Sequence, residues 1–187
     1  VVGRAGVGVD NIDVAAASER GVAVMNAPGG NTVSAAELTM ALLLSVARRV
    51  AEADRSMREG KWERAKFQGV ELRGRTLGVI GGGRIGGAVA ERCRAFGMKV
   101  IVHDPYLPVE RVVDLRSPVV EVNDLLETAD VVTLHVPLTE ETKGLIGESA
   151  LGMMKKGAFL INVSRGGVVD EAALARALAE ERIAGAG

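Results

Sequence analysis

The chain of 187 residues has one cysteine, two histidines and only 3% aromatic residues. A single thiol, Cys93, excludes an internal disulfide and any thiolate metal cluster, and a reducing cytoplasm suits it best. His103 and His135 stand alone, without a neighbouring carboxylate or cysteine cluster, and so offer no metal site. No excess of charge of one sign is present: 23 basic and 24 acidic residues leave a net charge of −1. The basic residues are scattered, so no electrostatic footprint for nucleic acid appears. The longest apolar stretch, Leu38–Val46, is too short to span a bilayer and is interrupted by Thr39 and Ser45. The opening Val1-Val2-Gly3 lacks the basic region of a secretory leader. It also lacks a methionine, and the chain stops at Ala184–Gly187 where a further strand is expected, so the sequence reads as a piece of a longer protein.

What is present is glycine in a particular place. The β-type run Thr76–Ile80 leads into Gly81-Gly82-Gly83-Arg84-Ile85-Gly86, then a helix-compatible stretch, then the apolar run Met98–His103 ending at Asp104. That is the pattern of a first βαβ unit of a dinucleotide-binding fold. Gly81 permits a tight turn off the strand, Gly83 allows backbone to approach a pyrophosphate, and Gly86 allows close packing of helix on strand. The helix starting near Arg84 offers its N-terminal amides to phosphates. Asp104, 23 residues after Gly81, can accept the ribose hydroxyls of adenosine. An acid there favours NAD over NADP, since a 2′-phosphate would be repelled and Pro105-Tyr106-Leu107 supply no arginine.

Around this unit apolar strands (76–80, 98–102, 118–122, 131–136, 158–163) alternate with helical candidates (84–96, 123–129, 148–154, 170–182). The alternation predicts an α/β fold, a doubly wound parallel sheet with right-handed crossovers. Residues 1–28 read as the tail of another α/β unit, and 29–187 as an NAD-binding domain. Asn31 or Thr32 can N-cap a helix running from Val33 to Arg58, apolar on nearly every face in its first half. Such a helix is buried between layers or between subunits, which suggests a homodimer. The segment Gly60–Gly69, with Trp62 and Phe67, is an irregular excursion that packs on something.

Ligands of such sheets bind beyond the carboxyl ends of the strands. Pro137 ends one strand and, with Val136, either leaves an apolar wall for the cofactor or is a plain strand terminator. His135 can be a general base, although a histidine in an alternating strand is more often packed, and His103 is more often positional. After the last full strand come Asn162-Val163-Ser164-Arg165-Gly166-Gly167. Arg165 can hold a carboxylate through two N–H groups and polarise an adjacent carbonyl. Its alternative is a local pair with Asp170 or Glu171, though Asp170 is better placed to N-cap the following helix.

These segments, together with Gly3–Asn11, resemble the NAD-dependent D-2-hydroxyacid dehydrogenases over essentially the whole chain, and Asn31–Leu38 and Gly60–Gly69 resemble the phosphoglycerate dehydrogenases among them. The resemblance implies oxidation of 3-phospho-D-glycerate to 3-phosphohydroxypyruvate, a step of serine biosynthesis. It makes Arg165 the catalytic arginine, and places Arg4, Gly6 and Val7 at the substrate, with Val7 also at the cofactor. Arg84 and Ile85 would border the pyrophosphate, while Val136, Pro137, Val163 and Ser164 would line the cofactor cleft. Arg64 would reach the phosphate of a substrate bound by a neighbouring subunit. The family's acid-base histidine and its glutamate would lie beyond Gly187, leaving this piece inactive alone. A glyoxylate or hydroxypyruvate reductase is the alternative within the family, and an NAD(H)-sensing corepressor-like binding protein the alternative outside it.

Overall fold

The computed structural model describes residues 1–108 and 115–187. Two parallel sheets organise them. The smaller pairs β1 (Val2–Arg4) with β2 (Val24–Asn26) around helix α1 (Val14–Glu19), whose first turn is capped by the Asp13 side chain accepting from the Ala16 amide at 2.8 Å.

The larger sheet contains β3 (Thr76–Ile80), β4 (Lys99–His103), β5 (Val131–Leu134), β6 (Phe159–Asn162) and β7 (Gly185–Ala186). Its order is β4-β3-β5-β6-β7 and every pair is parallel, which fits the expected doubly wound architecture. Alternation along the strands serves two cores. Leu77, Val79, Val100, Val102, Val131, Phe159 and Ile161 face helices α2 (Thr32–Ala47) and α4 (Arg84–Ala95). Ile80, Val132, Leu134 and Leu160 face α5 (Val122–Thr128), α6 (Glu148–Met153) and α7 (Glu171–Ala179). Strands covered on both faces read as continuous apolar runs, which is why they were legible. Gly78 is a close-approach point: a Cβ there would overlap Leu125 Cδ2 of α5. The chain leaves β3 for β4 on one side and returns to β5 on the other, so direction reverses between β3 and β5. Such a switch point opens a crevice at the strands' carboxyl ends.

Two expectations need correction. The single helix over 33–58 is two helices, α2 and α3 (Val50–Arg58), separated at Arg48 and Arg49, the latter in the left-handed region at φ 54°. The excursion 60–69 explains the break. Its return delivers the Val70 amide to the Ala47 carbonyl at 2.8 Å, while Arg49 donates to the Lys66 carbonyl at 2.9 Å and lies 5.7 Å from the Phe67 ring centroid. Within this chain α2 is covered at Ala36, Thr39, Met40, Leu43 and Ala47, whereas Val33 and Leu38 are more than half exposed. Finally, 118–122 is not a strand. Only Val119 bridges to Val102, because Pro118 has no amide to donate and Val122 already opens α5. At the other end, the strand expected after the last helix is present in brief as β7.

Candidate functional site

A cleft of about 1170 Å³ opens where β3, β4 and β5 end. Its floor is the turn Gly81–Arg84. Gly81 has φ 96°, and a Cβ there would lie 2.6 Å from the His135 carbonyl oxygen, so both the turn and the neighbouring strand require glycine. A Cβ on Gly86 would overlap the Gly81 carbonyl oxygen and stand 3.0 Å from Val79 Cγ1, which fixes α4 against β3. Gly83 is different. A Cβ on it would meet nothing within 4 Å, so its backbone faces open space at the start of α4. A glycine bordering a helix N-terminus and an open cleft suits a pyrophosphate, which needs amides and close backbone approach.

Asp104 forms one wall. Its Oδ2 accepts from the Gly82 amide at 2.8 Å and its Oδ1 from the Tyr106 amide at 3.0 Å, so the carboxylate is fixed in place. Each oxygen keeps a second lone pair, enough for a ribose diol. Opposite, Val136 and Pro137 supply the apolar wall. The cleft thus gathers Gly81, Gly83, Arg84, Asp104, Val136 and Pro137, with Gly86 buried beneath and Ile85 packed against the α2–α4 core. Residues that sequence reading did not single out close the rim: the Tyr106 hydroxyl donates to Glu141 Oε2 at 2.6 Å between the loops after β4 and β5. Their pairing raises the Tyr106 hydroxyl's pKa through that hydrogen bond. No local signal marks it, since the two positions are 35 residues apart in loops.

Neither histidine has the features of an acid-base group. His135 is largely buried, which depresses its pKa to about 4, and its Nε2 meets Thr133 Oγ1 at 3.0 Å. His103 Nδ1 is bonded to the Val120 carbonyl at 2.9 Å, a positional role. Cys93 is buried against Met40, with its thiol pushed up to about 12 by burial, and is chemically inert. Among the described residues no group of histidines, cysteines and carboxylates could hold a metal ion.

Beside the cleft, the turn after β6 carries Arg165. Asn162 shapes that turn: its Oδ1 accepts from the Ser164 amide and hydroxyl at 3.0 and 2.7 Å, and its Nδ2 donates to the Arg165 carbonyl at 2.9 Å. Val163 packs toward the α2–α4 core, and Gly167 rests on Leu138, next to the cleft wall. The Gly144 amide donates to the Gly167 carbonyl at 2.8 Å, tying the Arg165 turn to the loop after β5.

Arg165 does not pair with Asp170 or Glu171. Asp170 caps α7, accepting from the Ala173 amide at 3.0 Å. The partner is Asp10, 155 residues away in the turn after β1: Nη2 to Oδ1 is 2.7 Å and Nε lies 3.2 Å from both carboxylate oxygens. This hydrogen bonding lowers the Asp10 carboxyl's pKa and raises that of the guanidinium. The same turn holds the other N-terminal candidates. Arg4 Nε donates to the Gly8 carbonyl at 3.3 Å, Gly6 accepts from the Ala27 amide at 3.0 Å, and the Val7 carbonyl accepts from Asn26 Nδ2 at 2.8 Å. All three belong to the turn that carries Asp10, the partner of Arg165. Arg64 joins neither group: it lies in the 3₁₀ turn Arg64–Phe67, packed against α3.

Residues 40–187 match the model of the D-isomer specific 2-hydroxyacid dehydrogenase, NAD binding domain. A D-3-phosphoglycerate dehydrogenase from Archaeoglobus fulgidus is 53% identical over 186 residues, covering 100% of this chain and 35% of that protein. One from Bacillus subtilis is 50% identical over 186 residues, again 100% of this chain and 35% of the relative. The chain therefore spans about a third of the length of these curated relatives. Among solved structures, the D-lactate dehydrogenase from Aquifex aeolicus complexed with NAD and lactic acid superposes with a TM-score of 0.88 at 36% identity, over 97% of this chain and 55% of that one. The chain belongs to the D-isomer specific 2-hydroxyacid dehydrogenase family and carries its NAD-binding domain.

Proposed function

We propose that this chain is the cofactor-binding and arginine-bearing part of an NAD-dependent D-3-phosphoglycerate dehydrogenase, oxidising 3-phospho-D-glycerate to 3-phosphohydroxypyruvate. The observation that carries the reading is the placement of Arg165 just past the carboxyl end of β6, the neighbour of β5 whose own end borders the Gly81–Asp104 cleft, with two of its N–H groups unused by protein acceptors among the described residues. The names of the relatives at 53% and 50% identity supply the substrate class.

In this reading, NAD supplies a hydride acceptor when bound. The backbone of Gly83 and the first amides of α4 hold its pyrophosphate, and Asp104 holds the adenosine ribose. The acid at 104, with Glu121 and Asp124 in an adjoining hollow of about 380 Å³, disfavours a 2′-phosphate. Val136 and Pro137 pack on the cofactor and exclude water. Arg165 grips the substrate's carboxylate and its C2 oxygen, favouring the carbonyl that forms as hydride leaves C2. The C2 hydroxyl proton goes to a base that neither His103 nor His135 provides, and which residues outside these 187 supply. Residues 1–28 form the tail of a substrate-binding unit, with Arg4, Gly6 and Val7 facing the substrate; residues 29–187 are the cofactor unit.

The exposed apolar residues Val33, Leu38, Val50, Met57 and Trp62 on and beside α2 and α3 support a homodimer, in which Arg64 reaches the phosphate held by the other subunit. The lone buried thiol is in keeping with a reducing setting such as the cytoplasm. No helix among the described residues is long and apolar enough to cross a membrane.

The test is oxidation of 3-phosphoglycerate by a chain extended to the length of its relatives. Turnover with NAD that disappears in Arg165→Ala supports the proposal. Turnover of glyoxylate or hydroxypyruvate alone points to a reductase, and NADH binding without turnover of any of these to a sensor.

A further inference from the structure

Arginine presents five N–H donors in two usable forks: a side-on fork from Nε and one Nη, and an end-on fork from both Nη atoms. In Arg165 the side-on fork is taken by Asp10, through Nε at 3.2 Å to both oxygens and Nη2 at 2.7 Å to Oδ1. Nη1 donates one of its two N–H groups to the Ser164 carbonyl at 2.9 Å. Three of five donors are thereby fixed on protein acceptors. What remains is one N–H on each Nη, without an acceptor among the described residues, in the plane of the guanidinium. Two coplanar donors match the two coplanar oxygens of a carboxylate or of a 2-oxo acid. The fit is tight on the Asp10 side, since a Cβ on Gly8 would overlap Arg165 Nη2 and stand 2.6 Å from Asp10 Oδ1.

We propose that Asp10 is a positioning residue for Arg165: by holding the side-on fork from the turn after β1, it aims the two remaining donors at the substrate's carboxylate and C2 oxygen. This rests on the reading of Arg165 as the substrate-gripping arginine. It also makes the arginine's aim depend on the N-terminal turn, because Asp10 and Arg165 belong to the two different sheets. Ion pairs between exposed side chains contribute little to stability. The value of this one lies in removing rotational freedom from a long side chain before substrate arrives.

The test uses the 187-residue chain and oxalate, a planar dicarboxylate that mimics a 2-oxo acid. The Nε–H resonance of Arg165, assigned by its loss in Arg165→Lys, is expected to exchange slowly with water. Oxalate should bind and shift the Nη signals while leaving Nε–H in place. In Asp10→Ala the Nε–H protection should vanish and oxalate binding weaken by about tenfold, the size of one charge-assisted hydrogen bond. Formate at millimolar concentration should then restore protection and part of the oxalate affinity, because it supplies the missing carboxylate to the vacated fork. Asp10→Asn, which keeps one acceptor, should fall between. Equal oxalate affinity in the unmodified chain and Asp10→Ala overturns the proposal, as does a loss that formate does not restore. A chain that ignores oxalate while its Arg165 Nε–H remains protected overturns the substrate reading, and the proposal with it.

Discussion

The Gly82 amide donates to Asp104 Oδ2 at 2.8 Å, so the acid after β4 holds the glycine turn after β3. The residue proposed to bind the ribose is therefore also a brace for the loop proposed to bind the pyrophosphate. Asp104→Ala should weaken NADH binding beyond the loss of one ribose contact, by roughly 2–4 kcal/mol in total, since hydrogen bonds to a charged group are worth about 1.5–3 kcal/mol each. NADPH binding should fall less, because its 2′-phosphate loses a repelling carboxylate at the same time. Fluorescence titration with both nucleotides checks this, and an equal loss for the two would mean that Asp104 does not touch the ribose.

The glycine turn, its acid and the alternation of strands were all legible in the sequence because each depends on neighbours within one βαβ unit. Val79, Gly81 and Gly86 are set by local chain geometry, and the strands announce themselves by being apolar on both faces. The break at Arg49 was not legible. Nothing in residues 33–58 forbids a continuous helix, and only the return of Val70 onto the Ala47 carbonyl ends it. Asp10 was equally invisible as the partner of Arg165, because sequence proximity favours Asp170 and Glu171, and only the meeting of the two sheets decides otherwise.

Gly86→Ala tests the packing of helix on strand. The added methyl would overlap the Gly81 carbonyl oxygen, so α4 must shift away from β3. Overpacking of this kind costs about 1–3 kcal/mol. We expect a lower Tm together with loss of NADH affinity, measured by differential scanning fluorimetry with and without nucleotide.

His135 sets a pH dependence. Its pKa is about 4 in the folded chain against 6.5 ordinarily, so between those values the unfolded chain binds more protons. Stability should fall as pH drops from 6.5 towards 4, by roughly 2–3 kcal/mol attributable to this group. The contribution is flat above pH 6.5. Urea unfolding at pH 7 and pH 4.5 measures the drop, which should shrink in His135→Gln.

Cys93 should resist alkylation in the folded state, since its thiol is buried and its pKa stands near 12. Iodoacetamide labelling followed by mass spectrometry should proceed only as the chain unfolds, and rapid labelling of native protein would contradict the packing against Met40.

The apolar surface of α2 and α3 should support self-association. Light scattering of the purified chain is expected to give twice the monomer mass, and Leu38→Glu, placed on a residue more than half exposed, should restore the monomer.

The position of α2 bears on how the chain reaches its native state. It precedes the large sheet in sequence yet rests on β6, β7 and α4; Leu42 and Val46 lie against Gly187 and Gly185, more than 135 residues later. Closing so long a loop is slow and is repaid only once the sheet surface exists. The β3-α4-β4 unit, with its short connections, has no such delay. We expect α2 to dock late, after β6 and β7 have joined the sheet. Until then Leu77, Val79 and Ile161 are sheltered on that face only by what α4 already covers, and this interval is when the chain is most exposed to aggregation.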